Sequence, residues 1–298
     1  MSFAAAITPL QRSLPPSPID LGAAASLGGP LGDLGRSAAN AAPFLARMLQ
    51  KEGAWLAGIA TEDPDAVLAA LVGDMQRLGG PEGAPDLATL QQRLRESRRR
   101  AALFIALADL GGVWPLEQVT AALTTFAGTA TSAAMDWLLA REARTGKIKG
   151  LDPETPGLFA LAMGKMGAFE LNYSSDIDLI CLFDIDRYAP EGSWDAKERL
   201  PRLVRDLVKV LSEPTADGYV ARVDLRLRPD PGATPLCLST DAAEQYYAAM
   251  GRTWERAAHI KARVVAGDAA AGEAYLQTLS PFIWRRSLDF AAIEDTAR

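Results

Sequence analysis

The sequence is poor in the residues that support several common kinds of active site. It has one histidine, His259, and two cysteines, Cys181 and Cys237, among 298 residues. Histidine-rich zinc sites and paired-histidine dyads are therefore excluded, and a Ser-His-Asp triad would have to use His259, which we interpret as structural. Two cysteines among apolar neighbours cannot form a disulfide framework and are predicted to be reduced core residues of a cytoplasmic protein. Catalysis should instead rest on carboxylates, basic side chains and a metal ion that prefers oxygen ligands.

Long apolar runs and excess positive charge are also missing. No run approaches the ~18 to 20 apolar residues that cross a bilayer, and the first residues lack the basic start and apolar stretch of a signal peptide. With 31 basic and 37 acidic residues the net charge is −6, which gives nonspecific nucleic-acid binding no electrostatic support. We therefore expect neither a membrane nor a nucleic acid as partner. A hydrophobic fraction of 49% is that of an ordinary globular protein.

The first half of the chain divides into an arm and a helical region. Residues 1–40 are rich in Ala, Gly, Pro and Ser without a steady period, which predicts a flexible arm. Residues 41–150 carry apolar side chains at helical spacing. Pro64 suits the first turn of one helix, and Gly146 suits the position just after another.

The sequence pattern changes after residue 150, where short apolar segments bounded by turn residues predict strands. Strands are predicted over 158–163, 177–183 and 219–227, a helix over 197–211, and helix again over 240–280. Residues 151–298 are therefore predicted to form an α/β or α+β domain behind the all-helical region.

The sharpest local feature is the segment Ser174-Ser175-Asp176-Ile177-Asp178 at the start of the second strand. Side chains alternate along a strand, so Asp176 and Asp178 point to the same side. Two carboxylates at the mouth of a buried strand repel each other and lose solvation unless a cation lies there. Magnesium suits this position, because it takes few carboxylates and completes its shell with water and phosphate oxygens. The alternative is an exposed strand start that carries two aspartates.

The third predicted strand alternates in the same way. Its apolar side chains point to one side, and Arg222, Asp224, Arg226 and Arg228 point to the other. An ordinary amphipathic strand gives this pattern too. A lone acid among arginines, however, fits a third metal ligand beside cations that hold phosphate. If the two strands are neighbours, three carboxylates could hold two magnesium ions for phosphoryl transfer.

A glycine-containing turn precedes the aspartates, at Gly164-Lys165-Met166-Gly167. Glycines directly after a strand let the backbone approach a ligand, and free amides there favour phosphate. The order of residues is not that of a Walker A loop. A glycine turn, a Ser-Asp-x-Asp strand and a later strand aspartate together form the nucleotidyltransferase signature of the DNA polymerase β type.

These motifs closely resemble the bifunctional glutamine synthetase adenylyltransferase/adenylyl-removing enzyme family. The resemblance covers about residues 157 to 290, and the segments that carry it are 164–179, 223–229, 251–263 and Arg285-Arg286-Ser287-Leu288-Asp289-Phe290. It implies an α+β fold with a DNA polymerase β-like nucleotidyltransferase core, a mixed sheet with flanking helices, after the helical region. The family's chain is about three times longer and has two related halves, so this chain is expected to be a piece of a longer protein.

One motif set behind some 150 mostly helical residues is similar to the N-terminal half of that family, which removes AMP from a tyrosine of glutamine synthetase. The resemblance implies phosphorolysis with two Mg²⁺ ions, adenine nucleotide and phosphate as ligands, glutamine synthetase as protein substrate and the PII signal-transduction protein as regulator. The implied site residues are the catalytic and metal-binding Asp176, Asp178 and Asp224, and the phosphate-binding Gly164, Ser175, Arg226 and Arg228.

Two other functions stay open at this point. The same fold could transfer AMP from ATP to a protein or a small molecule. A non-catalytic module that senses nucleotide is the second alternative, although such a sensor has no need for all three aspartates.

Two basic clusters are less informative. The run Arg93, Arg95, Arg98, Arg99 and Arg100 is interpreted as a solvated helix face without a catalytic role, because the chain is acidic overall. A second set, Arg252, Arg256, Lys261 and Arg263, either lines the mouth of the site or forms another solvated basic face.

Overall fold

The computed structural model describes residues 1–9, 20–80, 83–188 and 190–284. The resembling segment 285–290 lies outside the described residues. The α-helices are α1 (Phe3–Ala6), α2 (Gly29–Ala41), α3 (Pro43–Ile59), α4 (Pro64–Gly79), α5 (Leu87–Leu110), α6 (Leu116–Thr145), α7 (Gly164–Gly167), α8 (Ser193–Ser212), α9 (Thr240–Met250), α10 (Thr253–His259) and α11 (Ala269–Ile283). The strands are β1 (Leu158–Ala162), β2 (Ile177–Phe183), β3 (Val223–Asp224), β4 (Cys237–Ser239) and β5 (Arg263–Gly267).

The long helices begin and end where the sequence places capping residues. The Asp63 side chain accepts hydrogen bonds from two backbone amides at the start of α4, and Pro64 occupies the first turn as predicted. Asp86 caps α5 by accepting from the Thr89 amide at 2.7 Å. Gly146 ends α6 with a left-handed backbone, φ 63°, also as predicted. No helix in the described ranges is long and apolar enough to cross a membrane.

The five strands form one mixed sheet, in which β1 pairs antiparallel with β2 on one side and with β5 on the other. The free edge of β2 is shared by two parallel partners, β3 at its beginning and β4 at its end. The backbone between β3 and β4 leaves this edge and returns to it. The prediction of an α+β chain with a mixed sheet and flanking helices is confirmed.

Apolar packing covers both faces of the sheet. Alternate residues of β1 and β2, such as Leu158 and Leu179, belong to a buried cluster that continues without interruption into the N-terminal helices. The intervening residues, such as Phe159 and Ile180, pack with Tyr275 and other side chains of α9 and α11 in a second cluster. Both central strands are therefore buried on two sides, which explains their near-continuous apolar sequence.

The described part of the predicted flexible arm differs from the prediction. Phe3 is fully buried, and its ring lies 4.8 Å from the ring of Phe104 in α5. Leu31 and Leu34 of α2 are buried in the helical core. Although this stretch is rich in Ala, Gly, Pro and Ser, its larger apolar side chains reach the core of the helical region, so these residues pack despite a composition typical of a linker.

Two strand predictions also need correction. The strand expected over 219–227 is reduced to Val223–Asp224, because the Asp224 carboxylate accepts the Arg226 backbone amide at 2.8 Å and turns the chain. The segment expected to be helical over 240–280 contains β5, whose Val264 and Val265 extend the sheet at the outer edge of β1.

Candidate active site

Two of the predicted carboxylates lie in register on neighbouring strands. Asp178 of β2 is the parallel partner of Asp224 of β3. Asp176 lies two residues before Asp178, just outside β2, and is exposed. The Asp178 position continues into the sheet face of Ile180, which packs against the C-terminal helices. The structure thus brings the three aspartates to one edge of the sheet.

Two arginines neutralise part of this charge. Arg222 donates from Nε to Asp176 Oδ1 and from Nη1 to the Tyr219 hydroxyl at 3.2 Å. Arg226 donates from Nε to Asp224 Oδ2 at 2.8 Å, and the same nitrogen lies 3.0 Å from Oδ1. The Arg226 side chain is 84% exposed and the Asp224 side chain 16% exposed, so Arg226 covers its partner from the solvent side.

The electrostatic balance differs among the carboxylates. Burial, followed by the neighbouring charges of Asp224 and Asp176, raises the pKa of Asp178 above its ordinary value. The hydrogen bond from the Arg226 side chain lowers the pKa of Asp224. Within the described residues, Asp178 is the one of the three without a hydrogen bond or ion pair to a basic side chain, although the Arg226 charge partly offsets its own.

The glycine turn lies directly against this group. Gly164 follows β1 with φ 51°, and a Cβ placed on it would lie 3.2 Å from Asp178 Oδ2. On the other side, Asn172 organises the approach to β2, because its Oδ1 accepts the Ser175 hydroxyl at 2.8 Å and the Ser174 amide at 3.3 Å. The predicted phosphate-binding residues Gly164 and Ser175 thus lie on the two loops that flank the aspartates.

The donor set suits a magnesium ion, since it offers carboxylate oxygens, and those of Asp178 form no ion pair within the described residues. As placed, however, no three Asp, Glu, His or Cys side chains within the described ranges are grouped closely enough to hold one ion. Asp176 and Asp224 are each engaged by an arginine. Metal binding by the three aspartates therefore stays a prediction.

Arg228 is not where the alternating pattern placed it. Its guanidinium is buried and donates to the carbonyl oxygens of Leu225, Pro231, Thr234 and Pro235 at 2.8 to 3.3 Å. These bonds hold the segment between β3 and β4 in its turn. Arg228 therefore stabilises this segment, and its predicted contact with phosphate stays a prediction.

The second basic cluster does not form one face: Arg252 and Lys261 are exposed, whereas Arg256 and Arg263 pack against aromatic rings. Arg256 is buried, with its guanidinium 5.6 Å from the centre of the Phe282 ring. Arg263 stacks on Phe169 at 4.1 Å and donates to a backbone carbonyl. His259 is buried, with Nδ1 2.7 Å from the Glu255 carbonyl oxygen, which agrees with the structural interpretation.

Two residues near the aspartates were not predicted as site residues. Asn172 shapes the loop before β2, and Tyr219 contacts Arg222 through its hydroxyl and its ring. An Asn two residues before a Ser-Ser pair is a recognisable turn signal. No local pattern identifies Tyr219, because its role depends on the approach of another chain segment.

Carboxylates and arginines at the edge of a mixed α+β sheet, beside a glycine turn, define the kind of site expected of a nucleotidyltransferase. The sequence profile of the family described as glutamate-ammonia ligase adenylyltransferase matches residues 34–278. The chain belongs to this family.

Curated relatives agree with this assignment, and each is named bifunctional glutamine synthetase adenylyltransferase/adenylyl-removing enzyme. The relative from Bradyrhizobium diazoefficiens is 48% identical over 257 residues, which cover 85% of this chain and 26% of the relative. Those from Xanthobacter autotrophicus and Caulobacter vibrioides are 49% and 46% identical, each over 86% of this chain and 26% of the relative. The chain thus spans about a quarter of the length of the curated relatives it matches.

Proposed function

We propose that this chain carries a DNA polymerase β-like nucleotidyltransferase site that removes AMP from an adenylylated tyrosine of glutamine synthetase by phosphorolysis. The observation that carries the proposal is the parallel pairing of Asp178 with Asp224, with Asp176 beside them, in a chain of this family. Glutamine synthetase is proposed as the protein substrate because the curated relatives are named for it. The PII protein is proposed as regulator on the family resemblance alone.

In the proposed reaction an oxygen of hydrogenphosphate attacks the phosphorus of the adenylyl group. The bond between that phosphorus and the tyrosine oxygen breaks, and the proton of the attacking phosphate passes to the tyrosine oxygen. The products are ADP and free tyrosine, so atoms and charges balance. This displacement requires positive charge near both the entering and the leaving oxygen.

Asp176, Asp178 and Asp224 would hold the metal in this proposal. Magnesium, as two ions, would supply charge stabilisation to the entering and leaving oxygens when bound. Asp178 is the strongest candidate ligand, because its carboxylate, unlike those of Asp176 and Asp224, forms no direct bond to an arginine within the described residues. Gly164 supports phosphate binding, since a backbone without a Cβ lets a ligand approach Asp178 closely.

Positive charge at the site supports the direction of the reaction. Phosphate is an anion and must approach an anionic diester, which is unfavourable in a site of low dielectric constant. Arg222 and Arg226 flank the aspartates and offset this repulsion. The placement of the site behind a mostly helical region, which the resemblance associates with the AMP-removing half, supports the same direction.

The test uses glutamine synthetase carrying radiolabelled AMP, incubated with the 298-residue chain, Mg²⁺ and phosphate. We expect phosphate-dependent formation of labelled ADP. Asp178→Asn should lower the rate at least ~100-fold. Asp186→Asn, an exposed aspartate in the loop after β2, is the matched control and should leave the rate unchanged.

A second tube with labelled ATP and unmodified glutamine synthetase tests the opposite direction. Labelling of the target from ATP, without phosphate-dependent release in the first tube, would establish adenylylation and contradict the proposal. Magnesium-dependent nucleotide binding without turnover in either tube would favour the non-catalytic sensor.

A further inference from the structure

The arginines of α5 have different partners although they are close in sequence. Arg95 is 1% exposed and donates to the backbone carbonyls of Glu213 and Gly218. Arg99 and Arg100 both form ion pairs with Glu52. The interpretation of this run as a solvated face is therefore wrong for these three, which connect α5 to other parts of the chain.

Arg98 is the exception. Its Nε donates to the Val220 carbonyl at 3.1 Å, and its guanidinium lies 5.5 Å from the centre of the Tyr219 ring and 5.9 Å from that of Phe44. Within the described residues it forms no ion pair, and its terminal amino groups donate no hydrogen bond. Burial, and the nearby charge of Arg222, lower the pKa of Arg98. A half-buried cation without a counterion is costly unless a ligand supplies one.

Arg98 lines an open cleft. A cleft of about 390 Å³ lies between α5 and the loop before β2, and Arg98, Phe44, Tyr173 and Tyr219 contribute to its wall. The acid in this cleft, Asp109, accepts the Tyr173 hydroxyl at 2.8 Å and forms no ion pair with Arg98. The cleft therefore presents a positive charge framed by aromatic rings.

This cleft adjoins the aspartates. A smaller cavity, lined by Arg98, Ser174, Ser175 and Arg222 among others, lies next to it. Arg222 in turn contacts Asp176. Arg222 therefore lies between Arg98 and Asp176, the first carboxylate of the candidate site. A substrate bound at the aspartates could extend past Arg222 to Arg98.

We propose that Arg98 forms an anion subsite that binds a phosphate group of the reacting molecules in the cleft beside Asp176. A guanidinium with free amino groups forms paired hydrogen bonds to phosphate oxygens, which explains an arginine at this position. The choice of phosphate rests on the proposed function, in which either inorganic phosphate or the nucleotide supplies this group. The aromatic side chains that line the cleft could also stack on the adenine base of a nucleotide. Inorganic phosphate and nucleotide are therefore both tested as ligands.

The test measures binding of inorganic phosphate, ADP and adenosine separately to the 298-residue chain with Mg²⁺, by titration calorimetry. Arg98→Gln should weaken binding of phosphate, of ADP, or of both by at least about 10-fold and leave adenosine binding unchanged. Arg93→Gln changes the same charge on the same helix at an exposed position and is the matched control, expected to bind within twofold of the parent protein.

Weaker binding of inorganic phosphate assigns the subsite to the attacking phosphate, and weaker binding of ADP alone assigns it to the nucleotide. Unchanged binding of both, or no binding of either by the parent protein, overturns the proposal.

If Arg98→Gln fails to fold, Arg98→Lys tests the proposed anion subsite. It keeps the charge but cannot form paired bonds, so it should bind phosphate or ADP more weakly than the parent, and equal binding overturns the proposal. Calorimetry requires no turnover. Arg98-dependent binding without ADP formation would therefore contradict the proposed reaction and leave the subsite intact.

Discussion

Gly164 lies beside the Asp178 carboxylate at the start of the sheet. A Cβ on Gly164 would lie 3.2 Å from Asp178 Oδ2, and the backbone of Gly164 is left-handed at φ 51°. A side chain at position 164 would therefore crowd the Asp178 carboxylate and require it to shift.

We predict that Gly164→Ala impairs activity as well as stability. The left-handed backbone should cost about 1–2 kcal/mol in the free energy of unfolding. The new methyl group should also displace the Asp178 carboxylate and lower the rate of AMP release. Urea unfolding and the labelled-AMP assay measure the two effects.

Gly146→Ala is the matched control, because Gly146 has φ 63° and no atom within 4 Å of the added Cβ. It should show a similar loss of stability and an unchanged rate. Equal rates for the two variants would show that contact with Asp178 is unimportant for function.

The second prediction concerns the pH dependence of stability without metal. The pKa of Asp178 is raised above its ordinary value of 3.8, so its charged form destabilises the folded state. Asp178→Asn should therefore be more stable than the parent at pH 7. Its advantage should disappear as the pH falls through the raised pKa and Asp178 becomes protonated.

Asp224 should behave in the opposite way, because its pKa is lowered by Arg226. The charged form stabilises the folded state, so Asp224→Asn should be less stable than the parent above the ordinary pKa of 3.8. The difference should be lost as the pH falls through the lowered pKa. Urea midpoints between pH 3 and 7.5 in EDTA test both signs, and a shift of the same sign in both variants would refute the charge assignment.

The third prediction separates two arginines that the sequence pattern treats alike. Arg228→Ala should destabilise the protein by roughly 2–4 kcal/mol, because four backbone carbonyls lose a buried charged donor. Arg226→Ala should lower the urea midpoint far less than Arg228→Ala, because Arg226 is exposed and its ion pair with Asp224 is the interaction that it loses. Its effect should appear in weaker phosphate binding, measured by calorimetry.

Local periodicity accounts for what the sequence predicted well. Asp176 and Asp178 fall on one side of β2, and the strand continues apolar on both faces, because the two-residue alternation of a strand needs no knowledge of its neighbours. The alternation after Val223 failed, since side-chain bonds from Asp224 and Arg228 redirect the backbone.

Partners distant in sequence account for what was missed. Arg98 and Arg99 are adjacent, yet only Arg99 meets acids, Glu52 and Asp217, which are 47 and 118 residues away. Nothing within α5 distinguishes the two arginines. β5 was missed because its short valine pair becomes a strand only where the free edge of β1 is available.

The last prediction concerns magnesium and follows from the competition between arginine and metal for the same oxygens. An ion that binds only the folded state stabilises it, by about 2.7 kcal/mol at one hundred times its Kd. Mg²⁺ should therefore raise the urea midpoint of the parent protein. Asp178→Asn should abolish most of this increase, because the Asp178 carboxylate is partly buried beside two other carboxylates and gains most from the ion.

Arg226→Ala should have the opposite effect on the magnesium response. Arg226 occupies the oxygens of Asp224, and its removal leaves that carboxylate free for the ion, so half-maximal stabilisation should occur at a lower Mg²⁺ concentration. Arg187→Ala, which removes an exposed arginine paired with Asp184, controls for the change in net charge and should leave the response unchanged. A magnesium response that is the same in the parent, Asp178→Asn and Arg226→Ala would place the ion elsewhere. The three aspartates would then be a charge cluster balanced by arginines. Their proposed metal-binding and catalytic roles would both be rejected.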